Sequence, residues 1–255
     1  VEIRITPYTD TDGSDDLNTG DCTGTPIELR FEIQPVPQTT SSFVNPSAQD
    51  GEICSGETID IDLGINAFQM IGGGAPTLAD YEFEIVQIRY STDNGVTYPV
   101  GNSGYPVGLS GGTYSAGDII SSAIAQISET LVNTTITPIY LRFQVMAQLT
   151  NSPFCADSPI NIRVVINPNP IALILPDPAE VCAGINLNIS ANPSGIPPFV
   201  THTWSGPASL YVTPTNTINT VFNHNVPGDY LLIYTVTDGN GCTDSDEITV
   251  TVHAN

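Results

Sequence analysis

Tyr230-Leu-Leu-Ile-Tyr-Thr-Val-Thr-Asp238, a turn at Gly239-Asn-Gly241, and then Cys242-Thr-Asp-Ser-Asp-Glu-Ile-Thr-Val-Thr-Val252 read as two strands folded back on one another. Apolar and polar residues alternate with a period of two, which puts one face of each strand in a core and the other in water. The glycine-rich dipeptides between them supply the turn, and a cysteine sits at its edge.

Outward from this hairpin the same alternation recurs along the chain. Val1-Glu-Ile-Arg-Ile5, Ile27-Glu-Leu-Arg-Phe-Glu-Ile33, Ile59-Asp-Ile-Asp-Leu63, Tyr81-Glu-Phe-Glu-Ile85, Tyr140-Leu-Arg-Phe-Gln-Val145 and Ile160-Asn-Ile-Arg-Val164 all predict half-buried strands. One stretch departs from the pattern. Ile119, Ile120, Ala123, Ile124 and Ile127 recur at helical spacing, which predicts a short helix over 116–127 with Asp118 as its cap.

The hairpin itself repeats. Strand, cysteine-bearing loop and strand appear around Cys22, around Cys155 and around Cys242, each of the first two followed by prolines (Pro35 and Pro37; Pro168 and Pro170). Two segments also open alike, Glu52-Ile-Cys-Ser-Gly-Glu-Thr58 and Glu180-Val-Cys-Ala-Gly-Ile185. The repeat divides the chain into 1–37, a closing hairpin without its front half or a strand donor to a neighbouring subunit, a full unit at 38–170 and a second full unit at 171–255. Proline fixes φ and removes a donor, so the joints are semi-rigid.

Composition narrows the function. Acidic residues number 27 against five basic ones, a net charge of −22, and only 13% of residues are charged. A surface of that sign repels nucleic acid and anionic lipid and attracts divalent cations. The basic residues are Arg4, Arg30, Arg89, Arg142 and Arg163, with no lysine, which removes P-loop, Schiff-base and Lys–Asn isopeptide chemistry. The three histidines, His202, His224 and His253, lie in the last unit, so no Ser-His-Asp arrangement is readable in the larger one. No apolar run approaches the ~18 residues that a membrane span needs. The chain opens on Val1 in a strand pattern, as a mature or excised piece of something larger would. These features predict a non-enzymatic protein with no catalytic residues, no nucleic-acid partner and no membrane insertion.

Ile53-Cys-Ser-Gly-Glu-Thr58, Leu131-Val-Asn-Thr-Thr-Ile-Thr-Pro138 and Pro159-Ile-Asn-Ile-Arg-Val-Val-Ile-Asn-Pro-Asn-Pro170 resemble the PKD-like repeats of large Bacteroidetes surface proteins. The last unit, with Trp204-Ser-Gly-Pro207, Gly228-Asp-Tyr230 and Gly241-Cys-Thr-Asp244, is similar to a PKD domain, although Trp204-Ser-Gly-Pro207 stands where that family has a W-x-F-G-D-G stretch. The resemblance implies an all-β fold of tandem immunoglobulin-like (PKD-like) β-sandwiches behind an N-terminal β-hairpin segment. It implies an extracellular or cell-surface location in a fibre, filament or adhesin stalk, with copies of the chain or neighbouring repeats as partners, assembled head to tail by β-strand or hairpin addition. A carbohydrate-binding or cell-adhesion module is the alternative, with glycans contacted by Ile71-Gly-Gly-Gly-Ala75 and by Tyr98, Tyr105 and Tyr114.

Five cysteines in a secreted chain leave one over. If each repeat closes its front strand on its own hairpin, Cys54 pairs with Cys155 and Cys182 with Cys242, leaving Cys22 unpaired or intermolecular. Asp10, Asp12, Asp15 and Asp16 crowd one hairpin loop and predict a calcium site, the only cofactor expected, against the plainer reading of a solvated acidic turn. Asp238, Asp244 and Asp246 form a weaker candidate of the same kind. Ser91-Thr-Asp-Asn-Gly-Val-Thr-Tyr98 resembles an Asp-box and reads as a hairpin turn. Asn133-Thr-Thr and Asn188-Ile-Ser fit the N-glycosylation sequon. Trp204 reads as core.

Overall fold

In the computed structural model the described residues are 2–9, 22–30, 38–44, 51–66, 78–150 and 158–255. Their regular secondary structure is almost entirely β-strand. The N-terminal segment contributes β1 (Glu2–Ile5), β2 (Tyr8–Thr9), β3 (Cys22–Thr23) and β4 (Ile27–Arg30). Among the described residues β1 pairs only with β4 and β2 only with β3, so this is a separate antiparallel hairpin. Ile3 lies opposite Leu29 and Ile5 opposite Ile27, which gathers its apolar residues on one face.

The first module runs through β5 (Gln38–Phe43), β6 (Glu52–Cys54), β7 (Thr58–Asn66), β8 (Tyr81–Ser91), β9 (Leu109–Ser110), β10 (Ile119–Ser121), β11 (Gln126–Thr130), β12 (Val132–Asn133), β13 (Ile139–Leu149) and β14 (Ile160–Asn167). A sheet ordered β10-β8-β13-β14-β6 faces one ordered β11-β7-β5. Alternate residues turn inward: Ile59, Ile61 and Leu63 from one sheet meet Phe83, Ile85, Leu141, Phe143, Val145 and Val164 from the other. Each such side chain taken out of water contributes about 1.5–3 kcal/mol.

The second module holds β15 (Ile174–Leu175), β16 (Ala179–Cys182), β17 (Leu187–Ala191), β18 (Phe199–Ser205), β19 (Val212–Thr213), β20 (Asn219–Phe222), β21 (Gly228–Asp238) and β22 (Thr243–His253). Its sheets are ordered β15-β17-β20-β19 and β16-β22-β21-β18, around Trp204, Phe222, Leu232, Tyr234, Val236 and Val250. Trp204 is buried, donates its indole N–H to the Thr217 carbonyl at 2.8 Å and leans on Tyr234 with ring centres 5.0 Å apart. Its expected core role holds.

Both modules share one device. The short front strand crosses to the sheet of the closing hairpin and pairs in parallel with its last strand: β6 with β14, Asn167 opposite Cys54, and β16 with β22, His253 opposite Cys182. That places each front-strand cysteine at the pole where its module ends.

The helix expected over 116–127 does not form. Ile119–Ser121 is a strand on the edge beside β8, and Gln126–Thr130 is a strand beside β7. The chain turns before the first of these strands, with Gly117 at φ 91°, and again between the two, with Ala125 at φ 44°. Asp118 accepts the Ser115 backbone N–H at 2.7 Å rather than capping a helix. The isoleucines are β-branched and favour extended backbone, and Ile120 and Ile127 are buried on separate strands.

Candidate functional site

The feature that joins the two modules is a disulfide. Cys54 is bonded to Cys242, with Cα atoms 5.4 Å apart across a sequence separation of 188 residues. The expected pairings Cys54–Cys155 and Cys182–Cys242 are therefore corrected: the bridge runs from the front strand of one module to the hairpin tip of the next. Cys182 is an exposed free thiol, as is Cys22, and Cys155 lies outside the described residues.

Each half of the bridge is held by its own local structure. On the first module, Cys54 ends β6, and the loop after it is tied down at the pole. Ser55 N–H donates to the Asn167 carbonyl (2.8 Å), Gly56 N–H to that of Leu131 (2.8 Å) and Glu57 N–H to that of Cys54 (3.1 Å). Asn169, in the joint itself, donates its side-chain amide to the Ser55 carbonyl at 3.2 Å. On the second module, Asp238 shapes the hairpin tip: one carboxylate oxygen accepts the N–H groups of Asn240 and Cys242, each at 2.9 Å. Cys242 and Asp238 are both buried.

The joint between them is packed. Pro168 and Pro170 are buried, and the Cα of Pro170 lies 3.1 Å from where a Cβ on Gly195 would stand, at a φ of 132° that favours glycine. Ile171 exchanges both backbone hydrogen bonds with Ser194. Asp244 accepts the Ala172 N–H and Asp246 the Ile174 N–H, both at 2.8 Å. The acidic residues flanking Cys242, a weak cation site by sequence, thus direct their oxygens to backbone amides of the hairpin and of the strand that enters the module.

The remaining candidates separate. Asp10, Asp12, Asp15 and Asp16 lie outside the described residues, as does Ile71-Gly-Gly-Gly-Ala75. The Asp-box forms the turn that its residues predict. Ser91 and Asp93 bond each other, and Asp93 also accepts from the Thr97 N–H (2.7 Å) and hydroxyl (2.6 Å) while Ser91 Oγ accepts the Gly95 N–H (2.9 Å). These bonds favour the charged form and hold the Asp93 carboxyl at about 2, below its ordinary 3.8.

The tyrosines named as a sugar platform each make contacts within the first module. Tyr98 is buried beneath two guanidinium groups. Tyr105 donates its hydroxyl to the buried carboxylate of Glu129 at 2.6 Å and stands edge-on to Phe143. Burial first and the Glu129 bond second push its hydroxyl pKa up. Tyr114 packs against the same core, and its backbone N–H also donates to Glu129.

Asn133 is corrected as a glycan acceptor. It is buried, and its amide nitrogen already donates to the carbonyls of Thr137 (2.8 Å) and Ile166 (2.9 Å). Asn188 is exposed on β17.

One constellation has no sequence signal. Arg89, Arg142 and Arg163 lie side by side across β8, β13 and β14, because Arg142 is in register with both others. Arg142 stacks over the Tyr98 ring at 4.8 Å and Arg163 at 5.9 Å. Three of the chain's five cations thus share one row on an otherwise acidic molecule, and Tyr98 offsets their repulsion. Only strand register shows this; the residues are 53 and 21 positions apart in sequence.

Two packed sheets per module, with the front strand crossing to pair in parallel with the last strand, decide the architecture. The fold is a tandem of immunoglobulin-like β-sandwiches. No family model matches the chain, and no curated protein matches it. Solved structures do. The chain is similar to fibronectin(III)-like modules of Clostridium thermocellum CbhA, at 10% identity over 84% of this chain and 95% of that one, with a TM-score of 0.31. It is similar to the N-terminal eight Ig domains of Down syndrome cell adhesion molecule isoform 1.30.30, at 13% identity and a TM-score of 0.35 over 92% of this chain and 26% of that one. Mouse cadherin-23 EC22-24 is a third, at 12% identity and a TM-score of 0.28 over 100% of this chain and 75% of that one.

Proposed function

We propose that this chain is a structural element of an extracellular surface fibre or adhesin stalk, whose product is length and stiffness rather than chemistry. The observation that carries this reading is the Cys54–Cys242 bridge across the joint. Disulfides persist outside the reducing cytosol, which supports an extracellular location. No helix among the described residues is long and apolar enough to cross a membrane. The PKD-like repeat pattern of the sequence supports the assignment to bacterial surface arrays.

The mechanical logic is direct. A chain pulled from its ends transmits force through the shortest covalent path, which here jumps from Cys54 to Cys242. The 188-residue span that the bridge closes is shielded, in a chain of 255. Two bridges each confined to one module would leave the joint in the force path; this bridge bypasses it.

Single-molecule extension tests the reading. With the bridge intact, no unfolding event releases the length between Cys54 and Cys242. Reduction adds roughly 60 nm of contour length, at about 3.3–3.6 Å per residue. Equal contour length before and after reduction would overturn the force-carrying role, and a glycan-array signal from the isolated chain would favour a binding module instead.

A further inference from the structure

Four hydrogen bonds at the pole of the second module repeat those of the first. Ala183 N–H donates to the His253 carbonyl (2.9 Å), as Ser55 does to Asn167 (2.8 Å). Gly184 N–H donates to His224 (2.9 Å), as Gly56 does to Leu131 (2.8 Å), and Ile185 N–H to Cys182 (3.1 Å), as Glu57 does to Cys54 (3.1 Å). Asn255 donates its side-chain amide to the Ala183 carbonyl (3.1 Å), as Asn169 does to that of Ser55 (3.2 Å). Cys182 therefore occupies the position that Cys54 occupies, but it is an exposed free thiol where Cys54 is bridged to the hairpin tip of the following module.

The chain also carries an unused hairpin-tip cysteine. Cys22 opens the return strand of the N-terminal hairpin and is followed by Thr23, opposite Tyr8; Cys242 immediately precedes the return strand of β21–β22 and is followed by Thr243, opposite Thr237. It too is free and exposed. The hairpin that presents it is amphipathic and unpartnered among the described residues. Ile3, Ile5, Ile27 and Leu29 share one face and are 41–57% exposed, whereas the matching face of β21–β22 is buried in the second core. A lone two-stranded hairpin is marginally stable in water, so such a face calls for a cover. The pole around Cys182 offers Ile185 and Val226, each more than half exposed.

We propose that the N-terminal hairpin of a second copy of this chain docks on the C-terminal pole of the second module, and that Cys22 of the second copy forms a disulfide with Cys182. This rests on the stalk reading and extends it: the joint seen once within the chain is repeated between chains, head to tail. The oxidant is a small-molecule disulfide such as oxidised glutathione. The thiolate of one cysteine attacks it to give a mixed disulfide and one released thiol. The second cysteine then displaces the second glutathione. Two protein thiols together lose two electrons and two protons, and one glutathione disulfide becomes two glutathione thiols.

The test uses the full chain carrying Cys155→Ser, in an oxidised glutathione buffer, read on non-reducing gels and by mass mapping of cross-linked peptides. The expected result is a ladder of covalent oligomers, collapsed by reductant, with a Cys22–Cys182 peptide. Cys22→Ser and Cys182→Ser each abolish the ladder, and mixing those two variants yields a dimer and nothing larger. A mixture that stays monomeric, a ladder that survives Cys182→Ser, or peptides joining Cys22 to Cys22 would each overturn the proposal. The same digest reports Cys54–Cys242. Its presence without the inter-copy link overturns this inference alone; its absence removes the stalk reading beneath it.

Discussion

Replacing Cys54 in the first module should destabilise the second. When the second module unfolds on a folded first one, the bridge closes a loop from the joint at Asn167, beside Cys54, to Cys242. For a loop of roughly 75 residues the chain-entropy model gives about 4.5 kcal/mol at 25 °C, an upper figure. At about 4–8 °C per kcal/mol for a domain of this size, the melting midpoint falls by about 20 °C or more. Trp204 makes the assay clean, because it is the chain's single tryptophan and sits in the second core. Its fluorescence follows that module alone. Cys54→Ser, Cys242→Ser and reductant should give similar drops, although only one of the two substitutions touches the module being read. Cys182→Ser, within that module but unbridged, should leave the midpoint in place. A Cys54→Ser protein that melts like the parent, or a Cys182→Ser protein that melts like Cys242→Ser, would refute the reasoning.

Three further outcomes rest on the side-chain geometry. Asp238→Ala strips the hairpin tip of the acceptor for the Asn240 and Cys242 amides; it should cost about 1–3 kcal/mol and slow formation of the bridge on refolding, measured by thiol trapping. Glu129→Ala leaves the Tyr105 hydroxyl and the Thr113 and Tyr114 amides without their shared acceptor, and should destabilise the first module by about 3 kcal/mol in urea, with Trp204 fluorescence unchanged. The Asp93 carboxyl is depressed to about 2, so its turn is fully supported above the ordinary value of 3.8 and loosens as pH falls through about 2; an Asp93 titration midpoint near 3.8 by NMR would contradict the bonds described.

Much of this architecture is legible in the amino-acid sequence. The strands predicted at Ile59–Leu63, Tyr81–Ile85, Tyr140–Val145, Ile160–Val164, Tyr230–Val236 and Glu247–Val252 all form, because each has one buried face and period-two alternation records burial directly. The Asp-box is legible because its bonds are local, spanning Ser91 to Thr97. The helix expectation fails where isoleucines at positions 119, 120, 124 and 127 mimic helical spacing while belonging to two strands and a turn. The disulfide expectation fails for a deeper reason. The repeat shows which cysteines are equivalent, Cys54 with Cys182 and the hairpin cysteines with one another, but equivalence does not say whether pairing stays within a unit or steps to the next. That depends on which pole each cysteine reaches, which the parallel pairing of β6 with β14 settles. The arginine row is invisible in sequence because it is a property of register alone, and Asn133 looks like an open sequon because burial is not written in three residues.

The joint between the modules is pinned only if Cys54 is bonded to Cys242. Digestion with an acid protease under non-reducing conditions, at a pH where thiolates are too scarce for exchange, followed by mass mapping, tests that bond directly. The expected product is a peptide pair joining Cys54 to Cys242. Pairs joining Cys54 to Cys155 and Cys182 to Cys242 would close each sandwich on itself and leave the joint unpinned.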